Sequence, residues 1–267
     1  MKSGMIKLAA TAALLAGASV SAHAYSYSFL SLTQGASTVS CSSFSAITIA
    51  ACSAGFTGSG AGGSILLGDT TLKFAGTVGD FTINTTSNTS NSPGDAFGGT
   101  LNESSTFVTR TGSVNLATAL FINAQAFGYT LPATNPVIFS GSAAGSSTRR
   151  FALTDQINTV FAFDAANSGA YAAGPNVTLL GCNLAVPASP GSSIAPGCDG
   201  GETFAPAPNP MYSMTIVQTY DLALNSQWNT TANAGTTRIP EPMSTALVGL
   251  GLLGAAVVTR RRAAKKA

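Results

Sequence analysis

Tyr25-Ser26-Tyr27-Ser28-Phe29 alternates large apolar and small polar side chains without a break. Successive side chains of a strand point to opposite faces, so a period of two marks an extended segment with one face covered. Working outward, short runs of the same kind return over Phe44 to Ala50, Thr71 to Phe74, Asp80 to Asn84, Val137 to Ser140, Thr159 to Asp164, Val177 to Leu180 and Met211 to Leu224. The run Ser113 to Ala126 also fits a short helix through Leu116, Ala119, Leu120 and Phe121, but its β-branched and aromatic content tilts it toward a strand. Between the runs, Gly55 to Gly63, Asn84 to Gly99, Gly141 to Ser147 and Pro187 to Pro210 are rich in turn residues. Roughly ten strands at this spacing predict an all-β domain over residues 25–224, a β-sandwich with the jelly roll among its forms.

Both flanks of this domain read as targeting segments. Residues 1–24 have a signal peptide's layout: Lys2 and Lys7, a short apolar core from Leu8 to Val20, and the small-x-small site Ala22-His23-Ala24. Export through the Sec route and cleavage by signal peptidase would leave Tyr25 as the first mature residue. After the domain, residues 225–238 read as a polar stalk, extended or disordered. Then come Pro240-Glu241-Pro242, an uncharged apolar run from Met243 to Thr259, and Arg260-Arg261-Arg262. As a helix, residues 243–259 would cover roughly 26 Å, at the short end of a membrane span. Cations after the span predict a cytoplasmic C-terminus over residues 260–267, with the domain on the other side.

Residues 239–267, with their Pro-Glu-Pro handle, apolar span and terminal arginine cluster, resemble the PEP-CTERM sorting signal of exported Gram-negative bacterial proteins. The same element is also called an ice-binding protein C-terminal domain. No internal repeat supplies the flat threonine array that such a name would require of the activity. What the resemblance implies is recognition by a membrane-embedded exosortase and cleavage at or near Pro240, Glu241 and Pro242. It also implies a final place at the cell surface or outside the cell, beside exopolysaccharide and biofilm systems.

Composition excludes several classes of function. The net charge of +2 belongs to the flanks. Between Tyr25 and Arg238 the bases are Lys73, Arg110, Arg149, Arg150 and Arg238, against nine acids. Nucleic-acid binding needs clustered cations, so that partner is excluded. The single histidine, His23, lies in the signal peptide. A mature domain without imidazole has neither Ser-His nor Cys-His catalysis, nor histidine-containing zinc sites.

Cys41, Cys52, Cys182 and Cys198 form an even set in an exported chain, which favours disulfides. Three pairings are open. Closure of short Gly, Ser and Pro-rich loops favours Cys41 with Cys52 and Cys182 with Cys198. Asp199-Gly200-Gly201-Glu202 is a weak calcium candidate through Asp199 and Glu202, without the alternating ligand pattern of a calcium loop. Paired carboxylates hydrolyse glycosides without histidine, and Asp155 with Asp164, or Asp199 with Glu202, are the pairs to consider. Turn and surface roles explain all four more simply. Gly58 to Gly63 satisfies G-x-G-x-x-G literally, but so does Gly249 to Gly254 inside the apolar span, so the pattern reads as a loop. The leading expectation is a non-catalytic surface or matrix protein with no cofactor, whose partners are the exosortase and extracellular polysaccharide. The alternative is a secreted carbohydrate-active hydrolase.

Overall fold

The inward row of the first strand is Ser28, Leu30, Leu32 and Gln34, all buried, and its other face carries Tyr27 and Phe29. The computed structural model describes residues 26–95, 98–112, 119–130, 137–147, 152, 154–184, 197–205 and 211–239. The aromatics of the opening alternation therefore face away from the core. Tyr27 stacks on Phe127 with ring centroids 4.3 Å apart and meets Phe44 at 4.8 Å.

Thirteen strands follow one another along the described chain. They are β1 (Tyr27–Gln34), β2 (Ser37–Ser42), β3 (Phe56–Thr57), β4 (Thr71–Val78), β5 (Phe81–Ser90), β6 (Gly98–Arg110) and β7 (Leu120–Tyr129), then β8 (Val137–Ser146), β9 (Gln156–Asp164), β10 (Val177–Leu184), β11 (Gly197–Ala205), β12 (Tyr212–Asp221) and β13 (Gln227–Arg238). One sheet has the order β10-β9-β12-β7-β1-β2 and the other β11-β8-β13-β6-β5-β4-β3. Every pairing is antiparallel. The all-β sandwich expected from the alternation is what the chain forms. Its core lies between the sheets, where Trp228, Tyr129, Tyr212, Tyr220, Phe139, Phe161 and Phe163 are fully buried. Burying each such ring contributes about 1.5–3 kcal/mol.

Several local expectations are corrected. Stretches read as turns between strands carry strand instead: Asn84 to Ser90 continues β5, Gly141 to Ser146 continues β8, and Gly197 to Ala205 is β11. Phe44 to Ala50 is not a strand: Ala46–Ala50 is a helix, α1. Ser45 caps it, its hydroxyl accepting from the Thr48 backbone N–H at 3.2 Å while the Ser45 N–H donates to Thr48 Oγ1 at 2.9 Å. This reciprocal box satisfies two end groups that a strand would have paired elsewhere. Residues 225–238 are not a stalk either. All but the first two belong to β13, which is held between β6 and β8. Its inward row, Trp228, Thr230, Ala232, Ala234 and Thr236, is buried. Small side chains suit that row because tyrosines from the opposite sheet fill the space above it: Tyr212 hydrogen-bonds Thr236 at 2.7 Å, and Tyr220 hydrogen-bonds Thr230. The folded domain therefore extends through Arg238.

Both disulfides pair as local closure favoured, Cys41 with Cys52 and Cys182 with Cys198. Cys182 is on β10 and Cys198 on β11, the edge strands of different sheets, so this bond ties the sandwich along one side. Cys41 lies on β2, the opposite edge of the first sheet, and its partner follows α1 on the way to β3. The signal peptide with Ala22 and Ala24, the residues Pro240 to Pro242, the apolar run 243–259 and Arg260 to Arg262 lie outside the described residues. Among the described residues, no helix is long and apolar enough to cross a membrane.

Candidate functional site

The outer face of the seven-stranded sheet is paved with short polar side chains in register. One row crosses five strand pairings as Thr71, Thr89, Asn102, Asn233, Ser142 and Asp199. The next row is Lys73, Ser87, Ser104, Thr231, Ala144 and Gly197. Asn102, Ser142, Thr231 and Asn233 are exposed. Strand pairing alone aligns these groups, because directly opposite residues on one face hold their Cβ atoms about 5 Å apart.

Two depressions follow β13 along this face. One, of about 610 Å³, is lined by Thr100, Asn102, Ser142, Asn233, Asp199 and Glu202 among others. The second, of about 220 Å³, continues past Ser104, Ala144, Asn229 and Thr231. Gly235 and Ala144 keep the floor low where larger side chains would fill it. From Gly235 to Asn229 the trough runs about 20 Å, at the rise of an extended strand.

Its two ends differ chemically. At one end stand Asp199 and Glu202, both exposed. Asp199 Oδ1 accepts from the Gly201 N–H at 2.8 Å, across the bulge that interrupts the β8–β11 pairing. The weak calcium candidates thus share one border of the trough, with one carboxylate oxygen held by its own turn. Among the described residues no three His, Cys, Asp or Glu side chains converge. At the other end is Phe107, 45% exposed and held at φ 49°. The register of β6 with β13 shifts there, and Asn229 Oδ1 accepts the Phe107 N–H at 2.7 Å. A left-handed backbone costs a residue with a Cβ about 1–2 kcal/mol, and it turns an aromatic ring outward beside the polar floor.

Under the trough, inside the sandwich, lies a polar cluster. Thr86 donates to Glu103 Oε1 at 3.0 Å, and Ser105 Oγ, with a single proton to give, lies within hydrogen-bond reach of both. Thr230 and Tyr220 both donate to Gln218 Oε1, at 3.0 and 2.6 Å. Burial pushes the Glu103 carboxyl up to about 7 against the pull of the Ser105 and Thr86 hydroxyls. Burial, then the nearby Glu103, raises the Tyr220 phenol well above its ordinary range. Glu103 Oε2 has no hydrogen-bond partner, nor does Oδ1 of Asn88, the residue directly opposite it on β5.

Asp155, Asp164 and Asp69 serve the fold. Asp155 accepts from the N–H groups of Ala152 and Ala223, from Ser226 Oγ, and from Trp228 Nε1 at 2.9 Å. Asp164 is pushed up by burial, but Ser168 Oγ and the N–H groups of Ala166, Ser168 and Ala170 together hold it below the ordinary carboxylate value. Asp155 immediately precedes β9 and Asp164 is its last residue. Nine residues extended at about 3.4 Å each place them some 31 Å apart, far beyond the 5–9.5 Å between glycosidase carboxyls, so they form no pair. In the Gly58 to Gly63 loop, Asp69 Oδ2 accepts from the Ser59 N–H at 2.8 Å, and a Cβ on Gly58 would fall 2.3 Å from that oxygen. The loop thus wraps its own carboxylate where a phosphate reading would put a ligand.

The trough-lining residues Asn102, Thr231 and Asn233, and Phe107 at its end, carry no motif. The signal that could have found them is the Ala232–Ala234 alternation with Thr231, Asn233 and Gly235, which is a strand pattern with a small-residue core face. No family model, no curated protein and no solved structure matches this chain.

Proposed function

We propose that this is an exported, non-catalytic surface or matrix protein that docks extracellular polysaccharide in the trough along β13. The observation that carries the reading is the trough itself. It is about 20 Å long, floored by Ser, Thr and Asn hydroxyls and amides, and has an outward phenyl ring at one end. Such a floor offers donors and acceptors to sugar hydroxyls without net charge, and an exposed ring offers a face for a pyranose. The strand orders β6-β13-β8-β11 and β7-β12-β9-β10 support assigning the last eight strands to a jelly roll, with β1 to β5 extending both sheets. Two formed disulfides support an oxidising compartment.

Targeting completes the proposal. The signal peptide takes the chain through Sec, and residues 243–259 hold it in the inner membrane with the arginines in the cytoplasm. An exosortase then cuts at Pro240, Glu241 and Pro242, releasing the domain to the cell surface or the matrix. Mass spectrometry of surface material should find the C-terminus near residue 240; an intact Ala267 there sinks the processing step.

Binding is tested with purified protein on a panel of neutral and acidic glycans. Retention should fall about fivefold or more in Phe107→Gly, the worth of one aromatic contact at about 1 kcal/mol. Stability should not fall with it, because relief of the left-handed strain offsets the entropy of the added glycine. Unchanged retention overturns the docking site. Asp199 and Glu202 on the same border give the hydrolase reading its one foothold, so reducing ends are assayed in parallel. Turnover abolished by Glu202→Gln replaces the binding proposal with that one.

A further inference from the structure

Ten large apolar side chains stand exposed among the described residues, and they are unevenly placed. The end of the sandwich from which the chain leaves is marked by Arg238, opposite Val137 at the start of β8. Phe204 lies at this end, opposite Ile138. So does Tyr171, on the turn that follows β9 and whose Gly169 carbonyl accepts from Gln125 Nε2 at 3.0 Å. Phe44 follows the last residue of β2, which pairs with Phe29 near the start of β1. Leu66 and Leu67 lie in the loop leading into β4, whose first residue pairs with Thr89 near the end of β5. The Gly68 N–H, donating to the Ser43 carbonyl at 2.9 Å, joins that loop to the α1 segment. Ile47 on α1 is 82% exposed and Phe204 69%. The opposite end carries Phe107, Phe121 and Leu224, and Leu179 stands on the side, along β10.

We infer that the chain-exit end of the sandwich seats on the lipid bilayer through a rim of Phe44, Ile47, Leu66, Leu67, Tyr171 and Phe204. The inference rests on reading residues 243–259 as the membrane segment and adds how the domain sits on it. With β13 running to Arg238, only Ile239 to Pro242 separate the sandwich from the first apolar residue, Met243. Four residues reach at most about 14 Å. The α1 and β4 side of the rim lies three strand spacings from β13, roughly 14 Å across the same end. A planar apolar surface at the foot of β13 therefore meets the whole rim at once. Side chains of this size gain by entering the headgroup–acyl boundary, as on membrane-surface helices. A stalk would have held the domain away from the bilayer; its replacement by a central strand pins the domain there. Seated so, the domain holds Pro240 to Pro242 in the headgroup layer, within reach of a membrane-embedded protease.

The test uses the full chain reconstituted in 3:1 phosphatidylethanolamine–phosphatidylglycerol vesicles with brominated acyl chains. Ile47→Trp and, separately, Leu67→Trp report the rim, and Phe121→Trp reports the far end. Trp228, 1% exposed, supplies a constant background. Flotation after alkaline carbonate washing scores the membrane segment independently. The expected result is flotation, with bromine quenching of both rim reporters at least threefold that of Phe121→Trp. Flotation with equal quenching overturns the seating and leaves the membrane segment standing. Rim reporters that are blue-shifted but unquenched also overturn it, because a second copy of the chain then covers the rim. Failure to float removes the membrane segment and the seating with it.

Discussion

Glu103 is a carboxyl group whose environment works against its charge. It is 1% exposed, its Oε2 has no partner, and its cross-strand neighbour Asn88 presents a second lone oxygen. Asn88 cannot turn its amide to help, because Nδ2 already donates to the Phe29 and Gln125 carbonyls at 3.0 and 2.8 Å. A proton on Glu103 gives this pair one donor in place of two bare acceptors. The sign of the pH dependence follows. The folded-state value is raised from 4.5 to about 7, so between those limits the folded protein keeps a proton that the unfolded chain has released. This contribution is fully present below pH 4.5 and is lost as pH rises to 7, at up to about 1.4 kcal/mol per pH unit. Urea melts at pH 4.5, 6 and 8 should show it. Glu103→Gln should abolish the slope and be more stable than the parent at pH 8 by an amount on the order of 3 kcal/mol. A parent protein equally stable at all three pH values contradicts the buried, protonated state.

At the scale of the element, legibility depended on what covers the inward face. Strands with aromatic or aliphatic inward rows, such as β9 with Ile157, Phe161 and Phe163, stood out as alternations. β6 was missed, with Leu101, Glu103 and Ser105 inward, as were the later part of β5, with Thr86, Asn88 and Ser90, and all of β13. In these the inward side chains are small or polar, satisfied by cross-sheet hydrogen bonds or roofed by tyrosines. Polarity then reads as loop although the backbone is a ladder. The trough runs along β6 and β13, which is why most of its floor was illegible, while Asp199 and Glu202 were picked out for charge alone. α1 was misread for the reverse reason: five residues are too few for a 3.6-residue period to show, and only the Ser45–Thr48 box marks its start. The two faces of β13 give a direct check. Ala232→Asp places a charge on a fully buried row between β6 and β8 and should cost 3 kcal/mol or more, roughly the penalty of an unpaired buried charge. Thr231→Asp, one residue away on the exposed face, should stay within about 0.5 kcal/mol. Equal effects from the two would restore the stalk.

For the whole molecule, the two disulfides sit at opposite long sides of the sandwich. The Cys182–Cys198 bond joins β10 to β11, where the two sheets end together. The Cys41–Cys52 bond fixes α1 against β2, at the other edge of the six-stranded sheet. Five strand spacings separate β2 from β10, about 24 Å, well past the 7–10 Å within which substitutions couple. Each bond closes a short loop, 11 and 16 residues in sequence, so each should contribute about 3 kcal/mol by restricting the unfolded chain. Their losses should therefore add. Replacing Cys182 and Cys198 by serine should lower the melting midpoint by about 6–12 °C for a domain of this size, and replacing Cys41 and Cys52 should do much the same. The fourfold variant should fall by the sum, to within about 0.5 kcal/mol. A fourfold loss much greater than the sum would mean that the two edges communicate through the core. The polar layer around Glu103, Gln218 and Thr230 would be the place to look, because it joins both sheets by hydrogen bonds whose strength depends on every partner staying in place.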